Sequence, residues 1–372
     1  ILPPLVAGAS WHEWIYKALV LLVIACPCAL VISTPVTIVS GLAAAARHGI
    51  LIKGGVYLEE GHKLTWLALD KTGTITHGKP VQTDFETLVD MDAVRCRSLA
   101  ASLSGRSDHP VSRAISAATV AIQTPVLAVE SFEALPGRGV RGVIDGKRYA
   151  LGNHRLIHDL NLCTPAYEAQ IEALERLGKT VVLLADEHRV LALFAVADTV
   201  KESSHAAIGE LHRLGVKTVM LTGDNQFTAD AIAQQVGIDQ ARGDLLPEDK
   251  LKAVEIFGGE GVVGMVGDGI NDAPALAKAH IGFAMGAMGT DTAIETADVA
   301  LMDDDLNKIP AFVRLSRATR SILVQNISMA LIIKCVFLIL TLVGLGTMWM
   351  AVFADVGASL LVVGNGLRLL RK

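Results

Sequence analysis

The sequence predicts a multi-domain membrane protein in which α-helical transmembrane segments flank a cytosolic α/β domain carrying an inserted α+β domain. Three observations predict it. Hydrophobic residues make up 51% of the 372-residue chain and charged ones only 19%, and mean hydropathy is positive, an unusual balance for a soluble enzyme. One apolar stretch near the start and two near the end are long enough to cross a bilayer. Between them, short apolar runs alternate with helical patterns, the mark of a parallel sheet. The formal net charge of −5 gives no basis for nucleic-acid binding. Five cysteines do not make a disulfide framework in a chain of this length.

Residues 1–13, with Pro3-Pro4 and Trp11-His12-Glu13, read as the tail of an earlier span and its external loop. From Trp14 to Val39 the only charge is Lys17, so this run spans. Cys26-Pro27-Cys28 sits inside it, with Pro35 further on. Proline lacks a backbone donor and clashes with the previous turn, so Pro27 should break or kink the helix. Carbonyls released at mid-membrane need a partner, and a bound cation is one. A kinked helix with two buried thiols is the plainer reading, but two cysteines flanking the break favour a metal site. Residues 40–65 form an interfacial connector: Arg47, His48 and Lys53 mark the cytoplasmic side, and Gly54-Gly55 turns into a second amphipathic helix.

Residues 66–79 and 197–310 compose the α/β domain. Its first strand, Trp66-Leu67-Ala68-Leu69, ends in Asp70 and is followed by Lys71-Thr72-Gly73-Thr74. That puts one carboxylate at the carboxyl end of a parallel sheet, where ligands bind. Strands at Lys217–Leu221 and Val262–Val266 and helices near Thr228–Gln235 and Ala273–Ala279 continue the pattern. The insert, 80–196, has helices near Ala93–Leu103 and Tyr167–Leu177. Its strands fall in Gly139–Ala150, Val181–Leu184 and Val190–Val196. Cys96 and Cys163 lie in this insert and read as ordinary.

From residue 311 the character changes. Arg314, Arg317 and Arg320 precede the span Ile322–Val343, interrupted only by Lys334. Gly344–Thr347 is a turn, and Met348–Gly364 spans back, interrupted only by Asp355. Basic clusters after the first span, before the second and after the third assign one side consistently. The N-terminus then falls outside with no visible means of getting there, so the expectation is a portion of a longer chain.

Four stretches carry one chemistry. Asp70 is the nucleophile. Position 71 is Lys rather than a second acid, so the Thr72 backbone carbonyl and distant acids are left to hold a metal. Thr222-Gly223-Asp224-Asn225 can bond a transferred phosphoryl group through hydroxyl and turn amides. Lys250 supplies the neutralising cation. In Gly267-Asp268-Gly269-Ile270-Asn271-Asp272, two acids four apart beyond a strand suit Mg²⁺. Any one of these alone is an ordinary turn; in this order, coincidence is a small residual.

Asp70-Lys71-Thr72-Gly73-Thr74 with Thr76 closely resembles the phosphorylation motif of P-type ATPases, and the ordered set resembles their haloacid-dehalogenase-like phosphorylation domain. Cys26-Pro27-Cys28 in the preceding span narrows the resemblance to the heavy-metal, P1B-type branch. The resemblance implies that Asp70 is phosphorylated from ATP. It assigns catalysis to Asp70, Thr72, Thr222, Asp224, Lys250, Asp268, Asn271 and Asp272, with Mg²⁺ at Asp70, Thr72 and Asp268. In the insert, Ser107-Asp108-His109-Pro110 and Gly137-Arg138-Gly139 match the family's nucleotide motifs. His109 then contacts adenine, and Gly137, Gly139 and Glu133 belong to the nucleotide site. The family's glutamate five residues before that histidine is Ser104 here, a departure that bears on nucleotide affinity.

Lys334 and Asp355 resemble the zinc/cadmium/lead-exporting class rather than the copper class. The transported ion is then held by Cys26, Cys28 and Asp355, an S,S,O set suited to Zn²⁺ or Cd²⁺. Lys334 pairs with Asp355 when the site is empty; a purely structural ion pair is the plainer alternative. Cys335 reads as packing. The resemblance further implies a monomeric pump in the plasma membrane, whose actuator domain and earlier spans lie outside this chain. Three alternatives stay open: a copper exporter, a membrane-tethered haloacid-dehalogenase-like phosphatase, and a non-enzymatic metal-binding membrane protein, against which the intact catalytic set argues.

Overall fold

The computed structural model describes residues 10–122, 124–135, 137–224, 226–267, 270–286 and 291–372. They divide into two compact units. One holds residues up to Leu64 with Ala297–Asp303 and Lys308–Lys372; the other holds Thr65–Thr296 with Asp304–Asn307.

In the first unit the N-terminal apolar segment folds as helix Trp11–Ala25, breaks at Cys26 and Pro27, and resumes as helix Cys28–Arg47. The break falls where proline removes a donor and crowds the preceding turn; Pro35 is absorbed within the second helix. Helix Lys308–Leu342, a short turn and helix Met348–Gly366 follow later in the chain. Among the described residues, three segments are long and apolar enough to cross a membrane. Ala29, Ala330, Ala358 and Val362 form a buried seam among them. Small side chains let helices approach closely, which is how packing is won where lipid is as apolar as leucine. Within the seam the buried Asn326 amide donates to Thr37 Oγ1 at 3.3 Å and to the Val362 carbonyl at 3.1 Å, and accepts from Asn365 at 2.8 Å. Trp349 and Phe353, more than 80% exposed, lie on an exterior that a bilayer or further apolar helices would cover. The connector contains a strand too short to read from sequence: Ile50–Ile52 pairs antiparallel with Val299–Leu301.

The second unit holds two sheets. In the first, the strand order is Ile281–Met285, Val262–Gly267, Leu64–Asp70, Lys217–Leu221, Gln240–Arg242. Asp70 therefore stands at the end of a central strand buried along most of its length. The second sheet is antiparallel, in the order Thr76–Thr87, Val190–Val200, Thr180–Ala185, Lys147–Gly152, Gly139–Ile144, Glu130–Leu135. Alternate residues of the Thr180–Ala185 strand feed two cores. Val182 and Leu184 join Leu99, Ile115 and Phe194, while Val181 and Leu183 join Ile157 and Ile171. The period-2 pattern thus puts helices on both faces of this sheet. Helix Pro110–Ala121 and strands Thr76–Thr87 and Glu130–Leu135 are elements the sequence reading left out.

One carboxylate at the sheet edge ties the first sheet together. Asp239 accepts from the Thr218 amide at 2.7 Å and hydroxyl at 2.9 Å, and faces His212 Nε2 at 2.9 Å. Burial pushes its pKa up, but the bonds from Thr218 and the His212 charge outweigh burial and hold it below the usual carboxylate range. A depressed folded value means stability that is complete above the unfolded carboxylate value and lost as pH falls through the folded one. Asp239→Asn is expected to lower the unfolding midpoint at neutral pH and to flatten its decline below about pH 4, read from thermal unfolding across a pH series.

Candidate active site and membrane metal site

After Asp70 the chain turns sharply. Thr72 is extended, and Gly73 takes φ +70°, the left-handed region open to glycine at little cost. The turn is pinned from behind. Lys201 donates its ammonium to the Gly73 carbonyl at 2.6 Å, Ser204 its hydroxyl to the Ile75 carbonyl at 2.8 Å, and Thr76 its hydroxyl to the Lys71 carbonyl at 2.9 Å and Asp198 at 2.5 Å.

Asp70 is 6% exposed, Lys250 7% and Asp272 2%. The Lys250 ammonium, from the first turn of helix Pro247–Glu260, donates to Asp70 Oδ1 and, at 2.8 Å, to Asp272 Oδ1. Burial alone pushes the lysine pKa down; the Asp70 and Asp272 carboxylates overcome that and hold it above its ordinary value. Asp272 comes this close because residue 267 is glycine: a Cβ there would lie 2.6 Å from the Asp272 Cβ.

The Thr222-Gly223-Asp224 turn faces the same strand end. Thr222 is buried, its hydroxyl accepts from the Asp224 amide at 3.2 Å, and the Asp224 carboxylate pairs with Lys71 at 2.6 Å. Thr72 and Asn271 are exposed. Asp268, expected as a Mg²⁺ ligand, and Asn225 lie outside the described residues. The donor chemistry fits Mg²⁺: Asp70 and Asp272 gather hard carboxylate oxygens at one point. The buried Thr74 hydroxyl has no partner among the described residues.

In the inserted domain, a cavity of about 320 Å³ is lined by Ser107, His109, Gly137, Gly139, Asn153 and Thr180, among others. Residues 139 and 152 must be small: a Cβ on Gly139 would stand 2.3 Å from the Leu151 carbonyl oxygen, and one on Gly152 equally close to that of Arg138. Glu133 is not brought in. It is exposed, pairs with Arg141 at 2.6 Å, and is not among the lining residues. Ser104 is fully buried and gives its hydroxyl to the Ala101 carbonyl of its own helix at 3.3 Å.

In the membrane unit the break at Pro27 is met by Lys334, which donates to the carbonyls of Ile24, at 3.0 Å, and Cys26. Its ammonium also lies 3.4 Å from Asp355 Oδ1. The cavity beside Lys334 and Asp355 is only about 10 Å³, about one water at most. Cys26 and Cys28, expected as ligands of the transported ion, are brought together at the break with their Cα atoms 5.5 Å apart. The irregular backbone at Pro27 brings the two sulfurs together. Cys335 is exposed rather than packed.

The family model of haloacid dehalogenase-like hydrolases matches residues 64–280, the stretch that holds Asp70, Thr222, Lys250 and Asp272, and the chain belongs to that family. Within it, the likeness extends to metal pumps. The chain is 46% identical, over all its length and 52% of the relative's, to the cadmium-transporting ATPase of Staphylococcus aureus. It is also 46% identical to the zinc/cadmium/lead-transporting P-type ATPase of Escherichia coli (strain K12), over all its length and 50% of that protein's. The crystal structure of a zinc-transporting PIB-type ATPase in the E2.Pi state superposes with TM-score 0.93 at 46% identity, covering all of this chain and 60% of that one. The fold is thus that of a multi-domain P-type ATPase, and the chain spans about half the length of the curated relatives it matches.

Lys201 and Asp198 were missed in the sequence. The available signal was two charges closing the long apolar strand Val190–Val200 just before a helix. The Lys71–Asp224 pair joins residues far apart in the chain and had no sequence signal.

Lys250→Ala leaves two buried carboxylates facing each other. It is expected to cost about 3–5 kcal/mol of stability, measured by denaturant unfolding at neutral pH. Because the folded lysine pKa is raised, its contribution in the wild type persists below the ordinary lysine value and is lost only as pH climbs through the higher folded one.

Proposed function

We propose that this chain is the C-terminal portion of an ATP-driven exporter of Zn²⁺, Cd²⁺ and Pb²⁺, acting as a monomer in the plasma membrane through an aspartyl-phosphate intermediate. The observation that carries this reading is the presence, in one chain, of the Asp70–Lys250–Asp272 cluster and the intramembrane set Cys26, Cys28, Lys334 and Asp355. On this reading residues 66–79 and 197–310 are the phosphorylation domain and 80–196 the nucleotide-binding domain, both in the cytoplasm.

The nucleotide sits in the cavity lined by His109, Gly137 and Gly139. The Asp70 carboxylate attacks the γ-phosphorus, the bond to the bridging oxygen breaks, and ADP leaves with that electron pair. Lys250 offsets the charge that develops on the phosphoryl oxygens, and the Thr222 hydroxyl and following amides bond them. Asp70, Asp272, the Thr72 carbonyl and Asp268 would hold Mg²⁺, which screens the repulsion between carboxylate and phosphate. In the membrane, Lys334 holds Asp355 and the freed carbonyls while no cargo is present. Withdrawal of the ammonium exposes Asp355, Cys26 and Cys28 to the metal. The free energy of phosphorylation drives the exchange between cytosolic and external access. The Lys334–Asp355 pair supports divalent cargo over Cu⁺, because a monovalent soft ion has no use for a carboxylate.

The test is ATPase activity of the longer pump containing this chain, titrated with Zn²⁺, Cd²⁺, Pb²⁺ and Cu⁺ under reducing conditions. Divalent stimulation lost in Cys26→Ala, Asp355→Ala and Asp70→Asn is the expected result. Activity that ignored every metal and survived the first two changes but not Asp70→Asn would mean a phosphohydrolase instead. Stimulation by Cu⁺ alone would mean a copper pump.

A further inference from the structure

Outside both sites, the inserted domain gathers three different metal-binding side chains on a two-helix corner. Asn153 caps helix His154–Asp159, its Oδ1 accepting from the Leu156 amide at 3.1 Å. The chain reverses through Asn161, at φ +56°, and Thr164 caps helix Pro165–Glu175. This puts His154 at the start of one helix, Cys163 just before the next, and Glu168 one turn into it. His154 Nε2 lies 3.1 Å from Cys163 Sγ and 3.8 Å from Glu168 Oε1, and the three ligand atoms all fall within 4.8 Å of one another.

We propose that His154, Cys163 and Glu168 form a second metal site, apart from the membrane segments, for a borderline divalent cation such as Zn²⁺ or Cd²⁺. Ligands about 2.0–2.3 Å from a tetrahedral ion stand roughly 3.3–3.8 Å from each other, so side-chain adjustment alone can close this cluster on a cation. One nitrogen, one sulfur and one carboxylate oxygen are the mixed donor set that such ions accept and that Mg²⁺ and Ca²⁺ do not favour. Three ligands leave a fourth position for water, and part-exposed His154 and Cys163 with exposed Glu168 leave a path in, so the ion exchanges. The scaffold is held before any ion arrives. Asn153 donates its side-chain amide to the Gly137 carbonyl at 3.0 Å and its backbone amide to that of Arg138 at 2.9 Å, while Arg138 pairs with Asp159 at the other end of the His154 helix. Without an ion the three groups bond one another, His154 to Cys163 and Glu168 to both, so a cation entering here replaces contacts among its own ligands. The inference rests on this donor geometry and not on the transport reading.

The test uses the full chain with Cys26→Ser, Cys28→Ser and Asp355→Asn, which removes the membrane donors, titrated with Co²⁺ as the probe and back-titrated with Zn²⁺. The expected result is one equivalent of Co²⁺ with a thiolate-to-cobalt charge-transfer band, displaced by Zn²⁺. Adding Cys163→Ser should abolish the band at unchanged circular dichroism, and His154→Ala or Glu168→Gln should weaken binding about tenfold or more. Absence of the band, or a band that survives Cys163→Ser, overturns the proposal.

Discussion

Two carboxylates cannot be buried side by side and both stay ionised unless a cation is shared between them. Lys250 is that cation for Asp70 and Asp272, and much of the second unit is arranged to deliver it. The strand order sets Val262–Gly267 beside Leu64–Asp70, so the two acids leave neighbouring strands at the same end. The Pro247–Glu260 helix comes just before Val262 in sequence, and its first turn carries the lysine. Gly267 removes the one Cβ that would keep Asp272 away. On the reaction proposed above, a phosphate entering this cluster meets a positive charge already in place, which costs no reorganisation at the moment of transfer.

What the sequence made legible was whatever is encoded locally. The strands around Asp70, at Lys217–Leu221 and at Val262–Gly267 are short apolar runs with turn residues after them, and the three spans are long apolar runs. Asp70, Thr222, Lys250 and Asp272 stood out because each belongs to a short motif. Less legible were elements whose pattern is weak or whose partners are distant. Strand Thr76–Thr87 contains Gly78, Lys79 and Pro80 and is held by pairing with Val190–Val200, over a hundred residues away. Lys201 does its work through the Gly73 carbonyl, again a contact that no spacing rule reveals. Glu133 shows the opposite failure: it is near the nucleotide motif in sequence, but the strand turns it toward Arg141.

The membrane unit repeats the solution of the active site with different materials. Breaking the helix at Pro27 releases carbonyls at a depth where an unsatisfied one costs several kcal/mol. A lysine at that depth is also costly unless it finds partners. Here each cancels the other: the Lys334 ammonium takes the Ile24 and Cys26 carbonyls and lies near Asp355. A helix break that looks like a defect is therefore satisfied within the protein.

The same economy sets the terms for exchange. On the transport function proposed above, an entering divalent ion must replace all the bonds the ammonium makes, because any carbonyl or carboxylate left behind is unsatisfied in a medium with no water to spare. The carbonyls and the Asp355 carboxylate alone are oxygens, a hard set that matches an ammonium as well as it matches a borderline metal. On that proposal Cys26 and Cys28 add two thiolates on the same stretch of broken helix. Those donors favour Zn²⁺ or Cd²⁺ strongly and do nothing for an amine except as counter-charge. The selectivity of such a site is then a difference between two cations competing for one set of carbonyls, with sulfur deciding the outcome.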